Sequence, residues 1–178
     1  MDITVTFQPK NRAAWRNWLE ENHARCQEIW LLMPKSPSLS YLESVEEALC
    51  FGWIDGISKR FDTELLAQRF TPRRKKSNWT ELNKERARRL IAQGRMTESG
   101  RAILPDLTLE PLQIAPDIQS ALQADPQTWQ NFLAFPDIYQ RIRIGYVEEM
   151  RQNPPVFQTR LQNFVGRTKQ NKQFGGLL

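Results

Sequence analysis

Two features of the chain have side chains suited to chemistry. The first is Asp55, which follows Trp53-Ile54 and shares strand parity with Trp53 and Ile57. A carboxylate on such a half-apolar face loses water and needs a cationic or hydrogen-bonding partner. It is either a structural group held by a nearby arginine or a carboxylate facing a ligand. The second feature is the run Gln68–Trp79, in which Arg73-Arg74-Lys75-Lys76 stand between a strand and a helix start, with Phe70 and Trp79 on either side. Free N–H groups and the macrodipole draw anions to a helix N-terminus. A phosphate, sulfate or carboxylate would then lie near Ser77–Trp79, with Arg73 as a forked clamp. Interleaved aromatics also suit single-stranded nucleic acid. The plainer reading is a basic loop with Trp79 stapling the helix to the core.

Strand register decides which partner Asp55 can reach. Trp53–Arg60 and Leu65–Thr71 read as a hairpin turning at Asp62-Thr63. A symmetric turn puts Asp55 opposite Phe70 and Arg69 opposite Gly56, so Arg69 points to the other face. Lys59, four residues along on the same face, or Arg73 beyond the strand end, is geometrically easier.

Other chemistries are poorly represented. The chain has no GxGxxG, P-loop or Ser-x-x-Lys, and His23 is its single histidine, which argues against histidine triads and histidine metal clusters. Cys26 and Cys50 are isolated and read as a reduced pair. Glu46-Glu47 and Glu148-Glu149 are adjacent, so on helices they diverge by about 100° and do not face one substrate together. No metal and no cofactor is expected.

The elements that would position these groups have clear boundaries. Ile3, Val5 and Phe7 alternate as in a short strand. Asn11 caps a helix whose Trp15, Trp18 and Leu19 share a face. Glu28–Met33 reads as a buried strand stopped by Pro34. Ser40 and Glu43 have capping-box spacing for a helix to Leu49, with Leu42, Val45 and Leu49 inward. Asn78 and Glu81 have N-cap and N3 spacing for the next helix, closed by Gly94, with Arg86, Arg88 and Arg89 on its outer circumference and Glu85 paired to Arg89. A short helix follows Thr97. Beyond Pro105 lie a connector and four helical segments, opening near Asp117, Asp125-Pro126, Pro136-Asp137 and Pro154-Pro155, then a loosely held tail from Lys169. The fold class expected is α+β: a small antiparallel sheet with packed helices over residues 1–105, followed by a helical segment over 106–178.

Composition narrows the class. The 178 residues are 40% hydrophobic and 25% charged, as in a globular chain. The longest apolar run, Ile29–Met33, is far short of the roughly 20 residues of a membrane helix. No leader pattern is visible at Met1-Asp2-Ile3-Thr4, so a cytoplasmic location is expected. The net charge of +5 is unevenly spread: residues 1–58 carry −3, residues 59–101 carry +8, and the rest is neutral. A basic segment of this kind attracts phosphate, acidic ligands or nucleic acid, or is a solvated surface.

Ala48–Asp55 (ALCFGWID), Arg69-Phe70-Thr71-Pro72-Arg73, Ser77-Asn78-Trp79 with Asn83, and Gly94-Arg95-Met96-Thr97 with Gly100 resemble the signature of the YdeI/OmpD-associated, or bacteriocin-protection, family of bacterial proteins. These motifs span about residues 40–104, and the helical C-terminal segment fits such proteins less specifically. The resemblance implies an α+β domain with a helical segment, a role in bacteriocin or stress protection, and no established reaction. Carried onto this chain, the ligand-binding positions are Trp53, Asp55, Arg69, Arg73, Ser77, Trp79 and Asn83, lining one cleft between hairpin and helix or forming a network that locks the two. The leading expectation is a non-enzymatic binder of an anionic small molecule or peptide. A nucleic-acid-associated protein using residues 69–95 comes second, and an orphan hydrolase or transferase third.

Overall fold

Local sequence signals set most element boundaries. In the computed structural model, which describes residues 2–36, 38–75 and 77–175, Asn11 Oδ1 accepts from Ala14 N (2.9 Å) and caps α1 (Arg12–Asn22). Trp15 and Leu19 are its buried residues, and Trp18 stacks on Trp15 while meeting Trp53 edge-on. Ser40 and Glu43 form the predicted reciprocal capping box of α2 (Tyr41–Cys50).

The sheet contains β1 (Thr6–Phe7), β2 (Ile29–Pro34), β3 (Trp53–Arg60) and β4 (Leu65–Pro72) in the order β1-β2-β4-β3. It is antiparallel except at one edge, where β1 runs parallel to β2. That edge pairs only Thr6 with Trp30 and Phe7 with Leu31, so the alternation from Ile3 shrinks to two residues and Val5 is exposed. Trp15, Trp53, Phe70, Ile29 and Leu31 form the buried interior of this part. Each such side chain contributes about 1.5–3 kcal/mol of transfer free energy.

The hairpin register is as predicted at its open end, pairing Trp53 with Pro72 and Asp55 with Phe70. It then slips by one residue, since Ser58 pairs with Gln68. The extra residue at Gly56-Ile57 is a β-bulge, and it reverses the side-chain parity beyond it. Lys59 consequently faces Ala67, on the side away from Asp55, and is not the partner that an unbroken register offers. Gln68 Nε2 closes the bulge by donating to the Gly56 carbonyl (2.8 Å).

Helix α3 (Glu81–Ala92) starts later than the Asn78 spacing predicts. Thr80 is its cap, its Oγ1 accepting from Asn83 N (3.1 Å), while the Asn78 carbonyl accepts from Arg73 Nη1. At the other end Gly94 has φ +67°, with Gly94 N on Ile91 O and Arg95 N on Leu90 O, the two bonds of a Schellman motif. Helix α4 (Glu98–Arg101) follows Thr97 as expected. Thr97 N and Oγ1 both donate to Cys50 O (3.1 and 2.6 Å), tying this turn to the end of α2.

Glu46 and Glu47 of α2 are buried, and Arg89, which spacing puts on the outer circumference of α3, is one of the arginines that meet them. Glu46 accepts from Arg12 Nη2 (2.8 Å) and Arg89 Nη2. Glu47 accepts from Arg12 Nε (2.5 Å), Arg16 Nη1 (2.8 Å) and Arg95 Nη2. Arg89 thus reaches a buried carboxylate that its i, i+4 spacing to Glu85 does not point to, and a charge-assisted bond of that kind is stronger than a solvated helix-surface pair.

The chain divides into two units: Met1–Asn78 with Arg86–Asp106, and Trp79–Glu85 with Leu107–Leu178. The first holds the sheet with α1, α2 and α4. The second holds α5 (Pro116–Gln123), α6 (Pro126–Ala134), α7 (Asp137–Glu148) and α8 (Pro154–Lys169). Ile118, Leu122, Phe132, Tyr139, Val147 and Phe164 are prominent in its core. Its tail is not loose up to Gly175, the last described residue: Phe174 packs on that core and its N–H donates to Tyr139 Oη (3.3 Å).

Gly100 is closely packed, since a Cβ there would overlap the Cys50 carbonyl oxygen and the Met96 sulfur. Gly100→Ala is expected to destabilise the protein by about 1–3 kcal/mol, the cost of overpacking. A urea midpoint lowered without a change in slope checks this, whereas an unchanged midpoint would remove the close-approach role.

Candidate functional site

The bulge and the α2 N-terminus together shape a polar site in the first unit. Tyr41 is the first residue of α2, and its hydroxyl donates to Asp55 Oδ2 at 2.5 Å. Two arginines lie within electrostatic reach of that carboxylate. Arg73, at 5% exposure, comes from the end of β4, and Arg86 comes from α3. Burial pulls both guanidiniums below the usual arginine range, and the Asp55 charge opposes that shift. Tyr41 is pushed well above the ordinary phenol range, first by burial and then by its hydrogen bond to Asp55.

Beside Tyr41 lies a groove of about 540 Å³. Its walls include Met33 and Lys35, Gly56 and Ser58 of the bulged strand, and Leu66 and Gln68 of β4. Met33, Ser58, Leu66 and Gln68 share this face because the bulge moves Ser58 onto it. The floor is apolar at Met33 and Leu66, and the rim carries hydroxyl, amide and ammonium groups. That combination suits a small ligand with an apolar body and an acidic group.

The sequence-nominated residues have different surroundings. Arg73, which the register argument left open beside Lys59, lies within electrostatic reach of Asp55. Arg73 also braces its own loop, with its backbone N on Gly52 O and its Nη1 on Asn78 O, each at 2.8 Å. Arg69 points to the opposite face and donates through Nε and Nη2 to Glu28 (2.7 and 2.6 Å). Trp53 is buried, and its Nε1 donates to His23 O (3.2 Å), a packing position. Ser77 N closes a turn onto Arg74 O (2.9 Å), and Lys76 lies outside the described residues. Trp79 and Asn83 belong to the second unit.

Tyr41, Arg86 and Gln68 were missed by sequence reasoning. Arg86 stands where spacing puts the outer circumference of α3, yet Leu82 and Leu90, four residues to either side, were a usable signal that this face is covered. Gln68 becomes important only because of the bulge. Tyr41 carried one usable signal: a capping box fixes where the first helical residue sits.

These features define a class: an α+β unit with an internal ion-pair hub and a polar groove, in one chain with a helical unit built on an aromatic core. Residues 7–103, more than half of the chain, match the family described as "Domain of unknown function (DUF8412)", and the chain belongs to that family. Residues 111–171 match the family described as "Bacteriocin-protection, YdeI or OmpD-Associated". The resemblance to YdeI/OmpD-associated proteins thus holds, but its match lies in the helical segment, whereas the motifs between Ala48 and Gly100 fall within the other family's span. No curated protein and no solved structure gives a match. Among the described residues, no helix is long and apolar enough to cross a membrane.

The Tyr41–Asp55 bond has a spectroscopic consequence. A phenol whose folded pKa is raised adds stability that is complete below the unfolded value of about 10 and is lost as pH rises through the folded value. In an ultraviolet titration of the native protein, Tyr41 should ionise above that ordinary value, and Asp55→Asn should bring its ionisation down towards it. Identical titrations of the two proteins would show that Asp55 does not hold Tyr41.

Proposed function

We propose that the chain is a non-enzymatic, cytoplasmic protein of the bacteriocin- or stress-protection type that binds an anionic small molecule or short peptide in the Tyr41–Gln68 groove. The observation carrying this reading is the gathering of two partly desolvated guanidiniums, Arg73 and Arg86, around the Asp55–Tyr41 pair beside that groove. A guanidinium drawn out of water strengthens its interaction with an incoming carboxylate or phosphate. Lys35, at the groove's outer end, adds a further cation. The match to the bacteriocin-protection family over residues 111–171 supports the protective role.

The nucleic-acid reading receives less support from the basic segment once its pairs are assigned. Arg69, Arg89 and Arg95 are in internal ion pairs, and Arg73 braces its loop. A neutralised arginine releases no counterions from a phosphate backbone.

The test is a nuclear magnetic resonance titration with a leucine–glutamate dipeptide and, separately, inorganic phosphate. The Gly56, Ser58 and Gln68 amides should shift with one or both, and a leucine–lysine dipeptide should leave them unmoved. Arg86→Gln should weaken binding about tenfold or more, in line with about 1.5–3 kcal/mol for a charge-assisted hydrogen bond. The exposed substitution Lys35→Gln should weaken it to a smaller degree without affecting folding. Shifts that are absent for both probes, or equal affinities in wild type and Arg86→Gln, would reject the reading.

A further inference from the structure

A second groove, within the helical unit, has the opposite electrical character. It encloses about 580 Å³ and is walled by Leu109, Pro111, Leu112 and Ile138. Glu85, Glu110 and Asp137 add three carboxylates, and Arg141 is its single cation. That arginine is anchored, because its Nη2 donates to the Glu110 main-chain oxygen at 2.6 Å. The bond fixes the irregular Leu109–Leu112 segment as one wall of the groove. A chain of net charge +5 therefore carries a groove whose lining is acidic.

Three further facts bear on what fits there. Leu109 is 56% exposed, a large apolar side chain with half its surface in water. Glu110 and Asp137 are both exposed, so their charges are available at the rim. Asp137 is in the first turn of α7. An anionic or purely apolar occupant would bring no countercharge to these groups. An occupant with leucine-like side chains and lysine or arginine side chains satisfies both parts of the lining.

We propose that this groove is a docking site for a cationic, amphipathic peptide segment of a partner. Its apolar side chain lies between Leu109, Leu112 and Ile138, and its ammonium or guanidinium groups meet Glu110 and Asp137. The site is distinct from the anion-receiving groove of the first unit, and its test does not depend on that groove.

The probe is a short fluorescein-labelled peptide of alternating leucine and lysine, titrated with the full-length protein at low ionic strength and followed by anisotropy. Saturable binding is expected, together with a loss of about tenfold in affinity for Glu110→Gln combined with Asp137→Asn, since paired rim charges are removed. Leu109→Ser should weaken binding independently of charge. Both changes are at exposed positions, and an unaltered thermal midpoint should accompany them. Several results would overturn the proposal: no binding, unchanged affinity in the charge variant, or equal binding of a leucine–glutamate peptide. A dimer seen by sedimentation and abolished by the same variants would also overturn it, because the occupant would then be a second copy of the chain.

Discussion

Glu47 is fully buried, and a carboxylate without water must find its countercharges within the chain. The cost of removing such an ion from water is several kcal/mol, and close, well-oriented partners are needed to offset it. Three arginines meet that demand from different parts of the sequence. Arg12 and Arg16 stand one turn apart on α1, and Arg95 follows the Gly94 turn at the end of α3. Glu46, one residue earlier on α2, recruits Arg12 again and adds Arg89. Helix α1, helix α2, the later turns of α3 and the Gly94–Thr97 turn are all fixed by this single constraint. The +67° φ of Gly94 matters here because it turns Arg95 back towards Glu47.

The uneven charge of the sequence acquires a physical explanation from this hub. Arg89 and Arg95 of the basic central segment meet Glu46 and Glu47 of the acidic first third, with Glu28–Arg69 as a further pair between the same two stretches. Arg73 and Arg86 are the members of the basic segment gathered instead around a partly buried Asp55, and there the functional reading begins. Hub and groove share α2: its N-terminal Tyr41 reaches Asp55, while Glu46 and Glu47 anchor the same helix.

Much of the fold was legible because its signals are local. The Asn11 cap, the Ser40–Glu43 box, the Gly94 terminator and the prolines opening α6 and α8 each act within four residues. The open end of the hairpin was legible too, since turn symmetry alone puts Asp55 opposite Phe70. Nonlocal choices were not legible. Glu46-Glu47 looked like an ordinary acidic pair, because its burial depends on arginines more than thirty residues away in both directions. The bulge at Gly56-Ile57 carried only a glycine as warning, and it moved Lys59 off the site and Ser58 onto it. Thr80 took the cap that Asn78 also offered, a competition that one sequence does not resolve.

The hub is tested most directly by a double-mutant cycle on Glu47→Gln and Arg95→Met, read as unfolding free energies in urea. Glu47→Gln takes from Arg12, Arg16 and Arg95 the carboxylate they share and should cost about 3–5 kcal/mol, whereas Arg95→Met leaves Glu47 paired with Arg12 and Arg16 and should cost less. The double variant should be more stable than the sum of the two losses implies, with a coupling of about 1–3 kcal/mol. Losses that add to within about 0.5 kcal/mol would contradict the account, since the two groups would then act independently.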